Sequence, residues 1–206
     1  MMGAACLARV LIACEESQTV LREFIKLGHD AYSCDIIDTS GPYPELHIKV
    51  DVLTILDNDW DLMIAHPPCT HLAVSGARWF KDKKQEQEEA LRFVQALLDA
   101  PIPRIALENP VSIISSRIRK PDQIVQPWMF GDPFTKTTCL WLKNLPPLHP
   151  TDVVDKGERH VTKSGRSLPA WYNLPPSEDR AKIRSKTFEG FATAMAQQWG
   201  ALLDGS

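Results

Sequence analysis

The chain has 206 residues, room for one domain of ordinary to large size. Hydrophobic residues make up 44% of it, enough for a full core, and the formal net charge is −3. A global positive field for holding a polyanion is therefore excluded, so any nucleic-acid contact must come from a local basic patch.

The cysteines are Cys6, Cys14, Cys34, Cys69 and Cys139. Their number is odd and none lies in a C-x-x-C pair, so neither a disulfide framework nor a zinc site is expected. No metal is expected elsewhere. The first residues lack a charged leader with a long apolar core. No apolar run reaches the ~20 residues of a membrane span. The expectation is a soluble, cytoplasmic protein without membrane contact.

The first element in chain order is the apolar run Arg9-Val10-Leu11-Ile12-Ala13, which suits a buried strand. It ends at Cys14-Glu15-Glu16-Ser17. A helix is predicted over residues 19–27, with Val20, Leu21, Phe24 and Ile25 on one face and Gly28-His29 as the stop. Ala31-Tyr32-Ser33-Cys34 reads as a second strand ending at Asp35, and His47-Ile48-Lys49-Val50 as a third ending at Asp51. A fourth, residues 60–65, is stopped by His66-Pro67-Pro68-Cys69, because paired prolines cannot continue inside a sheet.

A loop with Ser75-Gly76 and Lys81-Asp82-Lys83-Lys84 leads to a helix over residues 85–99. A fifth strand, residues 104–107, ends at Glu108-Asn109-Pro110, and residues 139–142 look like a late strand. Residues 146–176 are rich in Pro, Gly and charge and read as long loop. A last helix is expected over residues 188–203. Strands alternating with helices predict an α/β fold, a mostly parallel sheet with helices on both faces. In such sheets the ligand site lies beyond the carboxyl ends of the strands. That rule selects Cys14 to Thr19, Asp35, Asp51, His66 to Cys69, and Glu108 to Pro110.

A cysteine on the stiff, dry turn Pro67-Pro68-Cys69 can be aimed at a substrate with little entropic loss. It reacts only when ionised, so the site should supply positive potential or hydrogen bonds. An isolated P-P-C is equally compatible with a buried structural cysteine. Glu108 can serve as an acid or hydrogen-bond partner if its pKa is raised. A glutamate there can also simply brace a loop. A thiol-protease pair of Cys69 with His66 or His71 is disfavoured, since neither histidine has an evident orienting acid in the sequence.

The segment Asp61-Leu62-Met63-Ile64-Ala65-His66-Pro67-Pro68-Cys69 resembles the strand and Pro-Pro-Cys loop of the DNA cytosine 5-methyltransferase family, and Glu108-Asn109-Pro110 resembles its Glu-Asn-Val segment. The resemblance runs from about Val10 to Ala201. It implies a Rossmann-like S-adenosylmethionine-dependent methyltransferase fold. It also implies that Cys69 adds to carbon 6 of a flipped cytosine while Glu108 holds ring nitrogen 3 and the exocyclic amine. Carbon 5 then takes the methyl group, and loss of its proton with elimination of the cysteine restores the ring. Amino-methylating enzymes carry an aromatic residue where this chain has Cys69, so carbon methylation fits better.

On the donor side, the loop bearing Cys14, Glu15 and Ser17 occupies the place of the family's Gly-rich loop, with the expected glycines absent. Asp35 resembles the acid that binds the ribose hydroxyls, and Asp51 the acid that contacts the adenine amine. Either is otherwise a routine turn residue. Pro67 is implied beside the donor, and Pro68, Asn109 and Lys136 around the acceptor base. Lys136 lies in Gly131-Asp132-Pro133-Phe134-Thr135-Lys136-Thr137-Thr138, which resembles the family's Gly-x-Pro-Gln-x-Arg-x-Arg segment; its alternative reading is a solvated loop charge.

The implied cofactor is S-adenosyl-L-methionine. A cation near the donor methyl would favour a carboxylated variant of it. The chain also looks like small methyltransferase-like proteins of phages and prophages, which would place it in a bacterial host cytoplasm. The expected organisation is one catalytic domain, residues 1–206, with a loop-rich insertion at about 146–184. That insertion stands where sequence-specific members carry a large recognition region. It offers Lys156, Arg159, His160, Lys163, Arg166, Trp171 and Tyr172, which suit either nucleic-acid contact or a solvated loop. The acceptor is therefore DNA or a free cytosine nucleotide, and a non-catalytic binding role is the remaining alternative.

Overall fold

The computed structural model describes residues 8–74, 84–170 and 186–203. Cys6, Ser75-Gly76, Lys81-Asp82-Lys83, Trp171, Tyr172 and Arg184-Ser185 lie outside the described residues.

The elements run β1 (Arg9–Ala13), α1 (Thr19–Lys26), β2 (Asp30–Asp35), β3 (His47–Lys49), β4 (Leu62–Ala65), α2 (Lys84–Leu98) and β5 (Arg104–Pro110). They continue with a one-turn helix α3 (Ile114–Arg117), β6 (Gln123–Val125), β7 (Thr138–Lys143), β8 (Arg159–Val161), β9 (Ser167–Pro169) and α4 (Glu189–Gly200). Seven strands form one sheet in the order β3-β2-β1-β4-β5-β7-β6. Every pairing from β3 to β5 is parallel, and β7 runs antiparallel to both of its neighbours. This is the Rossmann-like architecture that the sequence resemblance implies for an S-adenosylmethionine-dependent methyltransferase fold.

Both faces of the sheet are covered, and the two-residue period of the strands deals side chains to them alternately. Val10, Ile12, Leu62, Ile64, Ala106 and Leu140 pack with Phe24 of α1 and Met195 and Trp199 of α4. Leu11, Ala13, Met63, Ala65, Leu107 and Trp141 pack with Leu91, Val94 and Leu97 of α2 on the other face. The near-continuous apolar runs of β1 and β4 follow from this double burial. Helix α1 is closed by Gly28 at φ 86, where the His29 amide bonds back to the Phe24 carbonyl at 3.2 Å.

The strand order reverses between β1 and β4. The tips of those two strands therefore flank the crevice where open α/β sheets bind ligands. The His66 amide donates to the Ala13 carbonyl at 2.9 Å, which carries the pairing with β1 one residue beyond the end of β4.

Three expectations are corrected. The fifth strand does not stop at Leu107 but continues through Glu108, Asn109 and Pro110, because β7 pairs with it antiparallel over that stretch. The late strand spans Thr138–Lys143 and has a further partner, β6, too short to show a period in the sequence. The stretch expected to be loop contains the hairpin β8–β9, whose exposed Val161 and Leu168 gave no inside-outside alternation to read.

Candidate functional site

The crevice begins at Cys14, directly after β1. Cys14 has φ 59 and Gln18 has φ 56, both in the left-handed region that glycine adopts freely. The expected glycines are absent, and non-glycine residues take two left-handed turns in this loop instead. Each such residue costs on the order of 1–3 kcal/mol unless its surroundings hold it. Gln18 is held: its Nε2 donates to Ser33 Oγ at 3.1 Å and to the Tyr43 carbonyl at 2.7 Å, and its Oε1 accepts from the Tyr43 amide at 2.8 Å.

Glu15 is buried, and its carboxylate accepts the amides of Val20 at 2.6 Å and Leu21 at 3.2 Å at the start of α1. Its charge thus meets the positive end of a helix rather than open solvent. Burial raises its pKa, opposed by His66, by those amides and by Arg22. Ser17 Oγ lies 3.1 Å from Thr19 Oγ1.

Asp35 and Asp51 converge on the same place. The Cys14 thiol is pushed far up by burial and then by the charges of Asp35, Cys34 and Asp51. Cys34, which donates to the Val50 carbonyl at 3.5 Å, is pushed up to about 11, chiefly by burial. Each aspartate also shapes its own turn. Asp35 accepts the Ile37 amide at 3.3 Å, and Asp51 accepts the Leu53 amide at 3.0 Å as the cap of the 3-10 turn Val52–Thr54.

Beside the two acids stand Ile36, 71% exposed, and the exposed Ile37, Val50 and Leu53. Sequence reasoning passed over these apolar residues. Their signal was an Ile-Ile pair placed directly after a strand-ending aspartate. Exposed apolar side chains next to paired acids suit a ligand with a flat apolar ring and hydroxyl or amino donors.

The other side of the crevice is built by β4 and β5. Their register pairs Ala65 with Leu107, so the residues just beyond, His66 and Glu108, come next to each other. His66 Nδ1 lies 3.1 Å from Glu108 Oε2, with side chains only 10% and 15% exposed. The histidine therefore has an acid after all, contrary to the expectation from sequence. One position further, the buried Asn109 donates from Nδ2 to the Pro67 carbonyl at 2.9 Å. The loop is tied again downstream, by Ile113 N to the Leu72 carbonyl at 3.0 Å and Val74 N to the Val111 carbonyl at 3.1 Å.

Cys69 sits between these ties and is exposed, as is Pro68, while Pro67 is buried. The turn is buried only at its root, at Pro67, whose carbonyl accepts from the Asn109 amide. Within it the Cys69 carbonyl accepts from Leu72 and Ala73 at 3.0 and 2.9 Å.

Glu108 departs from expectation in its charge. Burial pushes its pKa up, but the His66 hydrogen bond, the Lys136 charge and the His66 charge outweigh burial, and the net direction is down. At neutral pH it is a carboxylate, a hydrogen-bond acceptor rather than an acid. Lys136 is thereby brought to the site: half-buried, it acts on Glu108 while its Nζ lies 5.7 Å from the Phe188 ring centroid. Cys139, the register partner of Asn109 on β7, has its thiol raised by burial and by the Glu108 charge.

A cavity of about 330 Å³ lies further out, between Pro133, Phe134 and Thr135 on one side and Asp155, Gly157, Glu158, Pro169 and Ala170 on the other. None of these is a predicted site residue, although Thr135 adjoins Lys136. The hairpin β8–β9 next to it carries Arg159, Lys163 and Arg166 exposed, and Lys156 Nζ lies 5.1 Å from the Trp128 ring centroid. Among the described residues no cluster of His, Cys, Asp or Glu is arranged to hold a metal ion. No described helix is long and apolar enough to cross a membrane.

No family model and no curated protein matches the chain. Solved structures with similar folds include an Entamoeba histolytica methyltransferase, EhMeth, at 14% identity and a TM-score of 0.49, covering 72% of this chain and 58% of that one. A putative DNA modification methyltransferase encoded within an Escherichia coli prophage matches at 14% identity and a TM-score of 0.42, over 86% of this chain and 69% of that one. The Dnmt2 methyltransferase of S. pombe matches at 16% identity and a TM-score of 0.41, over 85% and 62%.

Proposed function

We propose that the chain is an S-adenosylmethionine-dependent methyltransferase acting on carbon 5 of cytosine in DNA, with Cys69 as the covalent nucleophile. One observation supports the reading above all. The loop that carries the exposed Cys69 after β4 is tied to the β5 segment that carries the ionised Glu108 by the His66–Glu108 and Asn109–Pro67 hydrogen bonds.

The donor side fits an adenosyl ligand. Cys14 lies where the acids Asp35 and Asp51 converge, beside the exposed Ile36 and Leu53. Cys14, Asp35, Asp51 and the root of the loop at Pro67 would hold it, while Glu15 keeps α1 in place behind it. Bound there, the cofactor supplies an electrophilic methyl group. The chain's own residues do the rest. Cys69, as thiolate, forms a bond to carbon 6 of the ring, and the displaced electron pair enriches carbon 5. Glu108 accepts hydrogen bonds from the exocyclic amine and from ring nitrogen 3 once that nitrogen takes up a proton, and the positive charge of Lys136 beside it balances the negative charge that develops. Once carbon 5 is methylated, its proton leaves and the carbon–sulfur bond breaks, which returns the thiolate and the aromatic ring. Pro68 and Asn109 keep the loop in register throughout.

The test uses labelled donor with duplex DNA, followed by mass spectrometry of the released nucleosides. 5-Methylcytosine should appear, and Cys69→Ala should abolish it. Transfer that survives this substitution refutes the covalent mechanism. Running the assay with a carboxylated donor tests the variant cofactor.

A second reading, a free cytosine nucleotide as acceptor, is favoured by one observation. In residues 148–170 the described regular structure is a single two-stranded hairpin, a small surface for reading duplex sequence. Turnover of deoxycytidine nucleotide in preference to DNA would select this reading. Calorimetry with S-adenosylmethionine addresses the non-catalytic alternative, which predicts binding without transfer.

A further inference from the structure

We propose that the cavity between the segment before β7 and the β8–β9 hairpin is a base-binding pocket that takes an unpaired guanine of a nucleic-acid strand. Its place next to a target cytosine rests on the methyltransferase reading above; binding of the base does not.

The two walls of the cavity are fixed to each other. Thr135 Oγ1 donates to the Lys156 carbonyl at 2.7 Å, and the Val154 amide to the Trp128 carbonyl at 2.9 Å. Gly157, at φ 79, has no room for a Cβ, which would run into the Pro133 carbonyl. The Ala170 amide donates to the Glu158 carbonyl at 2.9 Å and closes the hairpin side. The volume, about 330 Å³, lies at the lower end of small-ligand sites and suits one planar ring system.

Walls and rim divide into three chemistries. Pro133, Pro169 and the Phe134 ring are flat apolar surfaces, and Phe134 stays 39% exposed although its ring is braced 5.4 Å from that of Phe188. Such surfaces stack a base. Two acids stand among them. Asp155 Oδ1 accepts the Gly157 amide at 2.8 Å, whereas the Glu158 carboxylate has no partner among the described residues. The third element is positive charge: Lys156 and Arg159 flank Gly157-Glu158 in the chain, and Arg159 is held on Ser167 by two bonds of 2.8 Å. A cationic side chain of a protein partner would meet the acids but be repelled by these neighbours. A nucleotide satisfies both, with its phosphate on the cations.

The Glu158 carboxylate selects among the bases, because its two oxygens only accept. Guanine alone presents two adjacent donors, the ring N1–H and the 2-amino group, and so meets both oxygens in parallel. Cytosine and adenine set a ring-nitrogen lone pair beside their one amino group, and thymine offers one N–H between two carbonyls. Watson–Crick pairing covers that edge in a duplex, so the guanine must be unpaired. Thr135 lines the pocket, and Lys136, next in the chain, acts on Glu108. A guanine held here therefore lies within a short stretch of strand from a base at Glu108.

Amide NMR shift mapping of the full chain with dGMP, dIMP, dAMP, dCMP and dTMP tests the pocket. dGMP should move the Gly157, Glu158 and Ala170 amides. dIMP, which lacks the 2-amino group, should bind about tenfold more weakly. Glu158→Gln, at an exposed position, has one acceptor in place of two and should bring dGMP and dIMP within about twofold of each other. Lys156→Ala should weaken dGMP but leave deoxyguanosine, which has no phosphate, unchanged. Equal shifts with all the nucleotides, or a dGMP lead that survives Glu158→Gln, overturn the proposal. Shifts with N-acetyl-arginine amide and none with dGMP overturn it in favour of a protein partner. Methyl transfer to single-stranded oligonucleotides with one dC, flanked by dG or by dI, tests the role in substrate choice. The dG strand should be preferred by the parent and not by Glu158→Gln. Equal transfer by the parent overturns that role. If neither strand is methylated, the methyltransferase reading fails, and dGMP binding still decides the pocket.

Discussion

Asn109 offers the sharpest test of how the two strand tips are joined. It is 1% exposed, and its Nδ2 reaches the Pro67 carbonyl at 2.9 Å across 42 residues of chain. Replacing it by alanine leaves a buried carbonyl short of a donor, a loss of about 1–3 kcal/mol. Its Oδ1, however, is buried without a partner among the described residues, so the same substitution also removes an unsatisfied acceptor. The two effects oppose each other, and the net loss should fall at the low end, about 1–2 kcal/mol. For a chain of this length that is a Tm lower by about 2–8 °C.

Asn109→Asp is nearly isosteric and should be worse. It sets a second carboxylate beside Glu108, facing a carbonyl oxygen, and should cost roughly 3 kcal/mol or more at neutral pH. Its deficit should shrink in acid, where the new carboxyl takes up a proton and regains a donor. Scanning calorimetry of the three proteins at neutral and acid pH decides the matter. An Asp variant as stable as the parent at neutral pH would refute the idea that this hydrogen bond pins the Pro-Pro-Cys loop.

Glu15 and Glu108 should shape the pH dependence of stability in opposite senses. The folded-state pKa of Glu15 is raised, so the native state binds more protons and stability falls as pH climbs from the ordinary carboxylate value through the raised one. Glu15→Gln should remove that fall, visible as urea midpoints that gain on the parent across this interval. Glu108 is lowered, so it contributes stability above the ordinary carboxylate value that is lost as pH drops through its folded value. Glu108→Gln should therefore be the less stable protein at neutral pH and lose its disadvantage in acid; a constant difference would contradict the assignment. At Cys14, glycine should be nearly neutral, because relief of about 1 kcal/mol of left-handed strain is offset by a comparable backbone entropy cost. Cys14→Val, β-branched at φ 59, should lose about 1–3 kcal/mol in urea unfolding, and a valine variant matching the glycine one would count against the strain.

Much of this molecule is readable from its amino acids. The buried strands announce themselves because a strand covered on both faces must be apolar throughout, as Val10-Leu11-Ile12-Ala13 and Leu62-Met63-Ile64-Ala65 are. The breaks that follow them, at Cys14, Asp35 and Pro67, mark the carboxyl ends, and a parallel sheet gathers those ends on one edge. The candidate site residues Cys69, Glu108, Asp35 and Asp51 could thus be proposed without coordinates.

Tertiary structure alone decided what those residues are chemically. Nothing local in Ala65-His66-Pro67 says that the histidine lies 3.1 Å from a carboxylate 42 positions away, or that the bond turns an expected acid into an acceptor. Nothing in Cys14-Glu15 says that the first takes a glycine's backbone angle while the second is spent on a helix start. Pairing with β7 extended the fifth strand past its apolar run, a matter of partners rather than propensity. Local pattern reports whether a side chain prefers water or oil and whether the chain bends. Proton state and hydrogen-bond role depend on groups brought close only by folding, since electrostatic influence follows distance in space and not separation along the chain.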